Sequence, residues 1–164
     1  MAPRQERFER IYQAHYAGVL AYALRRAPRP VADDVVAETF LVAWRRLDDV
    51  PDDAAPWLYG VARRVLANER RASARRLALT ERLRSAPRPA PADAGAGVLA
   101  AALEHLTKRE REALTLVAWE GLTAAQASRA AGCSHAAMRV RLHRARRRLA
   151  RALEASEALE EAIT

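Results

Sequence analysis

TAAQASRAAGCSHAAMRVRLHRARRR, residues Thr123–Arg148, holds the sharpest structural signal in the chain. Thr123 and Gln126 fit a capping box, the hydroxyl bonding forward and the amide bonding back, so a short helix opens there. Gly132 breaks that helix and supplies a turn residue that tolerates positive φ. Ser134 can cap the next helix, which the pattern carries to about Leu153. A short helix, a tight turn and a longer helix make a helix-turn-helix. Ser128 is the small residue expected where the two helices cross. Met138, Leu142, Ala145 and Leu149 repeat at helical spacing and form the inward stripe. Arg141, Arg144, Arg148 and Arg151 form a stripe facing away. Residues 139–151 hold seven arginines and no acid. Like charges at helical spacing repel by a few tenths of a kcal/mol per pair, roughly, and nothing in the helix offsets this. An external polyanion is the economical explanation. The N-terminal end of such a helix enters the major groove of DNA. That puts His135, Ala136, Arg139 and Val140 near base edges, with Ser134 among the DNA-binding residues at the helix start, and Arg141, Arg144 and Arg148 near phosphates.

Upstream, Thr107-Lys-Arg-Glu110 is a second capping box, so a helix starts there, with Leu114 and Val117 on its apolar side and Gly121 ending it. The segment Ser85–Gly97 has three prolines and two glycines and reads as a solvated tether. It separates a domain at 1–84 from one at 98–164.

The first domain reads as three helices. Phe8 to Arg26 is periodic and ends at Pro28 and Pro30. Val31 to Leu47 is the second, with Asp33 and Asp34 expected in its first turn and Arg45 and Arg46 in its last. Asp48 to Asp53 is an acidic, turn-rich loop. Pro56 can start the third helix, Trp57 to about Arg84. On that helix Arg64, Asn68, Arg71 and Arg75 share one face, bordered by Arg63, Arg70 and Arg76. Asn can pair with adenine, and Arg with phosphate or an unstacked base. On the second helix Asp34, Glu38 and Leu41 align, with Trp44 near that edge. An acidic stripe ending in apolar residues repels DNA and suits a basic protein partner.

Composition agrees with a helical nucleic-acid binder. Apolar residues are 51% and aromatics only 5%, which favours helix over strand. Lys and Arg number 28 against 20 acids, a formal charge of +8, which implies a polyanionic partner. A single cysteine, Cys133, excludes a disulfide framework and is expected to be a small buried side chain. No run is long and apolar enough for a membrane span, and Met1–Arg10 carries no signal core, so a cytoplasmic location is expected. The chain has no glycine-rich phosphate loop, no metal-ligand spacing among its histidines and Cys133, and no nucleophile elbow. No catalysis, cofactor or metal site is therefore expected. Two competing readings remain at this point. One is a stand-alone helix-turn-helix regulator, which predicts dimers on a palindromic site. The other is a nucleic-acid-processing enzyme holding a metal on Asp48, Asp49, Asp52 and Asp53.

The pattern resembles the extracytoplasmic-function (ECF) group of bacterial sigma-70 factors over nearly the whole chain. The segments that carry the resemblance are Phe8–Arg26, ADDVVAETFLVAW (Ala32–Trp44) and WLYGVAR (Trp57–Arg63), similar to sigma region 2. LTKREREAL (Leu106–Leu114), Glu120–Thr123, Gly132–Ser134 and RLHRARRRL (Arg141–Leu149) are similar to region 4. The resemblance implies an all-α protein of two small domains, without catalysis and monomeric when free. It also implies partners: core RNA polymerase, through its β′ clamp helices and β flap, promoter DNA, and an anti-sigma factor. Asp34 and Glu38, with Phe40 or Leu41, would meet the clamp helices. The 48–56 loop and the helix after it would recognise the −10 element, with a flipped base lowering the cost of unpairing. The 134–148 helix would read the −35 element as duplex. Two departures bear on the promoter sequence: Arg64 stands where Asn is frequent, and Val140 where Ser or another polar residue is frequent.

Overall fold

In the computed structural model, which describes residues 3–81 and 94–163, proline and glycine positions set most helix limits. The elements are α1 (Pro3–Leu24), α2 (Arg29–Arg45), a 3₁₀ turn (Leu47–Asp49), α3 (Ala54–Glu81), α4 (Ala94–Glu104), α5 (Lys108–Ala118), α6 (Ala124–Ala131) and α7 (His135–Ile163). No strand occurs among the described residues. The chain forms two compact units: an N-terminal lobe holding α1 to α3, and a C-terminal lobe built on α4, α5 and α7.

In the N-terminal lobe Pro28 precedes α2 and Pro30 lies in its first turn, where fixed φ angles pre-form the helix start. The helix therefore begins at Arg29, and Asp33 and Asp34 fall in its second turn rather than its first. Asp33 is held by Arg29, one turn before it, at 3.0 Å. Ala32, Val35, Val36, Thr39, Phe40 and Ala43 form the buried face of α2. Thr39 is fully buried, and its hydroxyl donates to the Val35 carbonyl at 2.7 Å, so its polarity is satisfied within the helix. Leu58, Val61, Ala62 and Leu66 of α3 and Val19, Tyr22 and Ala23 of α1 complete the core. Gly18 lets α1 and α3 approach closely: a Cβ there would lie 2.8 Å from the Tyr59 hydroxyl. The Tyr59 ring consequently packs against Tyr22, centroids 5.3 Å apart.

In the C-terminal lobe both expected capping boxes form. Thr107 accepts from the Glu110 N–H at 3.3 Å, and Glu110 accepts from the Thr107 N–H at 3.0 Å. Thr123 and Gln126 repeat the exchange at 3.2 and 2.9 Å. Gly132 has φ +66°, and the Cys133 N–H reaches back to the Ser128 carbonyl at 3.0 Å, closing α6 in a Schellman turn. Ser134 then caps α7 through the Ala137 N–H, 3.1 Å away. Ser128 is buried, and its hydroxyl is satisfied by the Ala125 carbonyl. Met138, Leu142 and Ala145 are buried and Leu149 half-buried, against Ala102, Leu106, Ala113 and Leu116.

Helix limits differ from the sequence reading at several points, among them the start of α1, at Pro3 rather than Phe8. Helix α4 is absent from that reading, and it takes in residues 94–97, assigned from sequence to the tether; residues 85–93 of that tether lie outside the described residues. Gly95 and Gly97 lower helix propensity, but Val98, Leu99 and the alanines around them restore it. Helix α7 continues to Ile163 because nothing after Leu153 breaks it: the segment has neither Gly nor Pro. Helix α3 begins at Ala54 with Pro56 inside its first turn, and is described as far as Glu81.

Candidate nucleic-acid interface

The capped start of α7 presents Ser134, His135, Ala136, Arg139 and Val140 to solvent. Val140 is 49% exposed, although α7 has a well-formed apolar face on its other side. Arg144 is exposed and Arg141 half-buried. Arg139, Arg141 and Arg144 have no carboxylate partner among the described residues. Their charge is therefore not neutralised by any described residue, and it lies on a helix whose opposite stripe is core.

Arg148 behaves differently. Its guanidinium donates to Glu110 at 2.9 Å, and that carboxylate is only 6% exposed. Burial raises the Glu110 pKa, but the Thr107 hydrogen bonds and the adjacent Arg148 charge together outweigh it and leave the group below the usual carboxylate range. The arginine expected at a phosphate thus joins α7 to the start of α5.

On α3, Arg64, Asn68, Arg71 and Arg75 are all exposed, as their spacing requires. Arg71 donates to the Asn68 side-chain carbonyl, which orients the amide. Arg63 is half-buried. Arg70 donates to the Arg26 carbonyl at 3.2 Å, just beyond the end of α1. Trp57 is half-buried and Tyr59 buried, so Tyr59 cannot stack on a base in this conformation. An open groove of about 340 Å³ runs between α2 and α3, lined by Glu38, Val42 and Arg46 on one wall and Arg64, Val65 and Asn68 on the other. Glu38 of the acidic stripe and Arg64 and Asn68 of the basic stripe, separate in sequence, meet at this groove.

Asp34, Glu38 and Leu41 are exposed on α2, with Trp44 39% exposed beyond them. Phe40 does not join them. It is 4% exposed and packs edge-on against Tyr12, centroids 4.8 Å apart, so it is core and not a contact residue. Its neighbour Leu41 carries the apolar end of that stripe.

The acidic loop is tied down by arginines. Arg4 reaches Asp48 at 3.2 Å, and Arg46 reaches Asp49 at 2.9 Å. No group of three His, Cys, Asp or Glu poised for a metal occurs among the described residues. Cys133 is free and half-buried in the α6–α7 turn, more open than expected. No helix among the described residues is long and apolar enough to cross a membrane.

Two helical modules, each displaying arginines along one helix, define a nucleic-acid-binding protein of two domains. Comparison with known families supplies the rest. The model of "Sigma-70 region 2" matches residues 11–76, and that of "Sigma-70, region 4" matches residues 96–149. The ECF RNA polymerase sigma factor SigL of Mycobacterium tuberculosis is 31% identical over 149 residues, covering 85% of this chain and 84% of SigL. The RNA polymerase sigma factor NccH of Alcaligenes xylosoxydans xylosoxydans is 29% identical, covering 93% and 90%. Among solved structures, CnrH in complex with the cytosolic domain of CnrY superposes with TM-score 0.64 at 28% identity over 92% of this chain and 90% of CnrH. RpoE from Bartonella quintana, solved with the anti-sigma factor NepR, has the same fold, with TM-score 0.69 at 23% identity over 90% of this chain and 96% of RpoE. The chain belongs to the ECF group of the sigma-70 family and is an RNA polymerase sigma factor. The stand-alone regulator reading is not favoured.

Proposed function

We propose that α2 docks the chain on core RNA polymerase and that its two arginine faces address separate promoter elements. Asp34, Glu38 and Leu41 meet the β′ clamp helices, a basic coiled surface complementing an acidic one. The loop after α2 and the exposed face of α3 (Arg64, Asn68, Arg71 and Arg75, bordered by Arg63) engage the −10 element. The start of α7, from Ser134 to Arg144, reads the −35 element as duplex, and the β flap holds this lobe. The chain acts as the specificity subunit in the cytoplasm, with the chemistry left to the polymerase and no cofactor of its own. Each DNA contact is weak alone, and tethering lets one raise the effective concentration of the other. CnrH is solved in complex with the cytosolic domain of CnrY; for this chain, an anti-sigma factor that covers the Asp34–Glu38 face and the C-terminal lobe is the off-switch.

The observation that carries this reading is the set of arginines at the start of α7 that have no carboxylate partner among the described residues. Addition of the chain to sigma-free core polymerase tests it. Promoter-specific transcripts are expected. Asp34→Arg combined with Glu38→Arg should weaken core association by about tenfold or more while leaving nonspecific DNA binding intact or stronger. Tight, sequence-specific duplex binding by the free chain, with no effect of the double variant on core association, would refute the assignment.

A further inference from the structure

The α2–α3 connection is short, and its path is fixed from outside. Leu47 and Val50 are 1% and 2% exposed and plug it into the lobe. Its backbone is then held by the first two turns of α1. Arg4 donates to the Trp44 carbonyl at 2.9 Å, and Arg7 donates to the Val50 carbonyl at 2.6 Å. Arg4 also pairs with Asp48 and lies over the Trp44 ring, 5.5 Å from its centroid. Trp44 sits in the last turn of α2, where carbonyls lack helical partners and a cation is favoured by the helix dipole. The Arg4 and Arg7 bonds thus grip the backbone at the last turn of α2 and at Val50, on either side of the 3₁₀ turn. Each spans 40 residues or more of sequence. Beyond Val50 come Pro51, Asp52 and Asp53, all exposed, before α3 begins.

We propose that Arg4 and Arg7 are positioning residues, holding the 44–50 backbone in the shape that presents Pro51–Asp53 to the −10 strand. Two of their bonds land on main-chain carbonyls, so they fix the path of the loop whatever its side chains. The Arg4–Asp48 pair is exposed, with the aspartate side chain 87% accessible, and such pairs add little stability. Loss of Arg4 therefore changes loop geometry far more than it changes folding. This inference rests on the proposed −10 role of the loop.

The test uses holoenzyme assembled from the full chain and core polymerase. Binding is measured on templates with a pre-opened −10 region, comparing the preferred −10 sequence with single-base changes, and on matched −35 changes. In Arg4→Ala with Arg7→Ala, −10 discrimination should fall about fivefold or more, a sizeable part of what one good base contact supplies. Discrimination at −35, core affinity and the salt slope should stay at wild-type values. Arg7→Lys, which can still donate to Val50, should recover part of the loss. Should the double variant fold poorly, Arg4→Ala alone keeps the test open. Wild-type discrimination in a folded variant would overturn the proposal, as would an equal loss at both elements. A salt slope lower by about one would also overturn it, because it would mean a direct phosphate contact. A wild-type holoenzyme indifferent to −10 sequence would instead refute the reading of the loop, and the positioning role with it.

Discussion

The two lobes display similar arginine faces, but different bonds set them up. In the C-terminal lobe the orienting contacts are mostly local: two capping boxes, a glycine at φ +66° and a serine cap all act within a few residues. In the N-terminal lobe they are distant. Phe40 meets α1 through Phe8, Tyr12 and Tyr16, and Arg4 and Arg7 bond to carbonyls of a connection 40 or more residues away. A reading face can thus be fixed by its own turn chemistry or by a separate helix docked against it. The second arrangement makes the N-terminal face depend on packing that its own helix does not contain.

The largest test of that contrast is Phe40→Ala. Truncating a buried aromatic should cost about 3 kcal/mol or more. Amide exchange in the full chain should quicken across α1 to α3, with α5 and α7 keeping their protection. A cost below about 1 kcal/mol would mean that Phe40 is not the hub of the α1–α2 packing, and would return it to the partner surface. Asp34→Arg, on the same helix but exposed, should leave exchange unchanged.

Glu110 gives a smaller effect in the other lobe, because here a local cap and one distant pair meet on a single carboxylate. Glu110→Ala removes both and should cost about 2 kcal/mol. Glu110→Gln converts this box into the form already present at Thr123 and Gln126, so the cap survives and only the charge on Arg148 loses its partner. That variant should cost about 1 kcal/mol, read as the shift in unfolding midpoint. Equal losses in the two variants would show that the Arg148 pair, and not the cap, secures α5.

The same contrast explains what the sequence could show. Both boxes, Gly132, the Ser134 cap and the inward stripe Met138–Leu142–Ala145 were legible, because each signal lies within one or two turns. The exposed row Arg64, Asn68, Arg71 and Arg75 was legible for the same reason. Spacing already set Leu41, and not Phe40, in line with Asp34 and Glu38; Phe40 entered the partner surface only through the resemblance, and its burial against α1 removes it. Arg148 looked like its neighbours until α5 supplied Glu110. Arg4 and Arg7 carried no signal, since their acceptors are main-chain carbonyls 40 and 43 positions away. Helix α4 was obscured by the glycines at its start.

Acid separates the lobes most gently. His15 is half-buried in the N-terminal lobe, and burial lowers its pKa from 6.5, with Asp53 only partly opposing the shift. A histidine with a depressed folded pKa is favoured neutral. Its contribution is complete above pH 6.5 and is lost as pH falls through the folded value. Glu110 is also depressed, but from 4.5, so its contribution is complete above that pH and is lost only in stronger acid. On acidification the N-terminal lobe should therefore soften first, and the C-terminal lobe should hold until Glu110 takes up a proton. Amide exchange followed against pH reads both lobes in one sample. His15→Gln should remove the early step and leave the late one, and Glu110→Gln should do the reverse. A single transition shared by α1–α3 and α5–α7, untouched by either substitution, would show that neither group controls the acid response and that the two lobes respond as one.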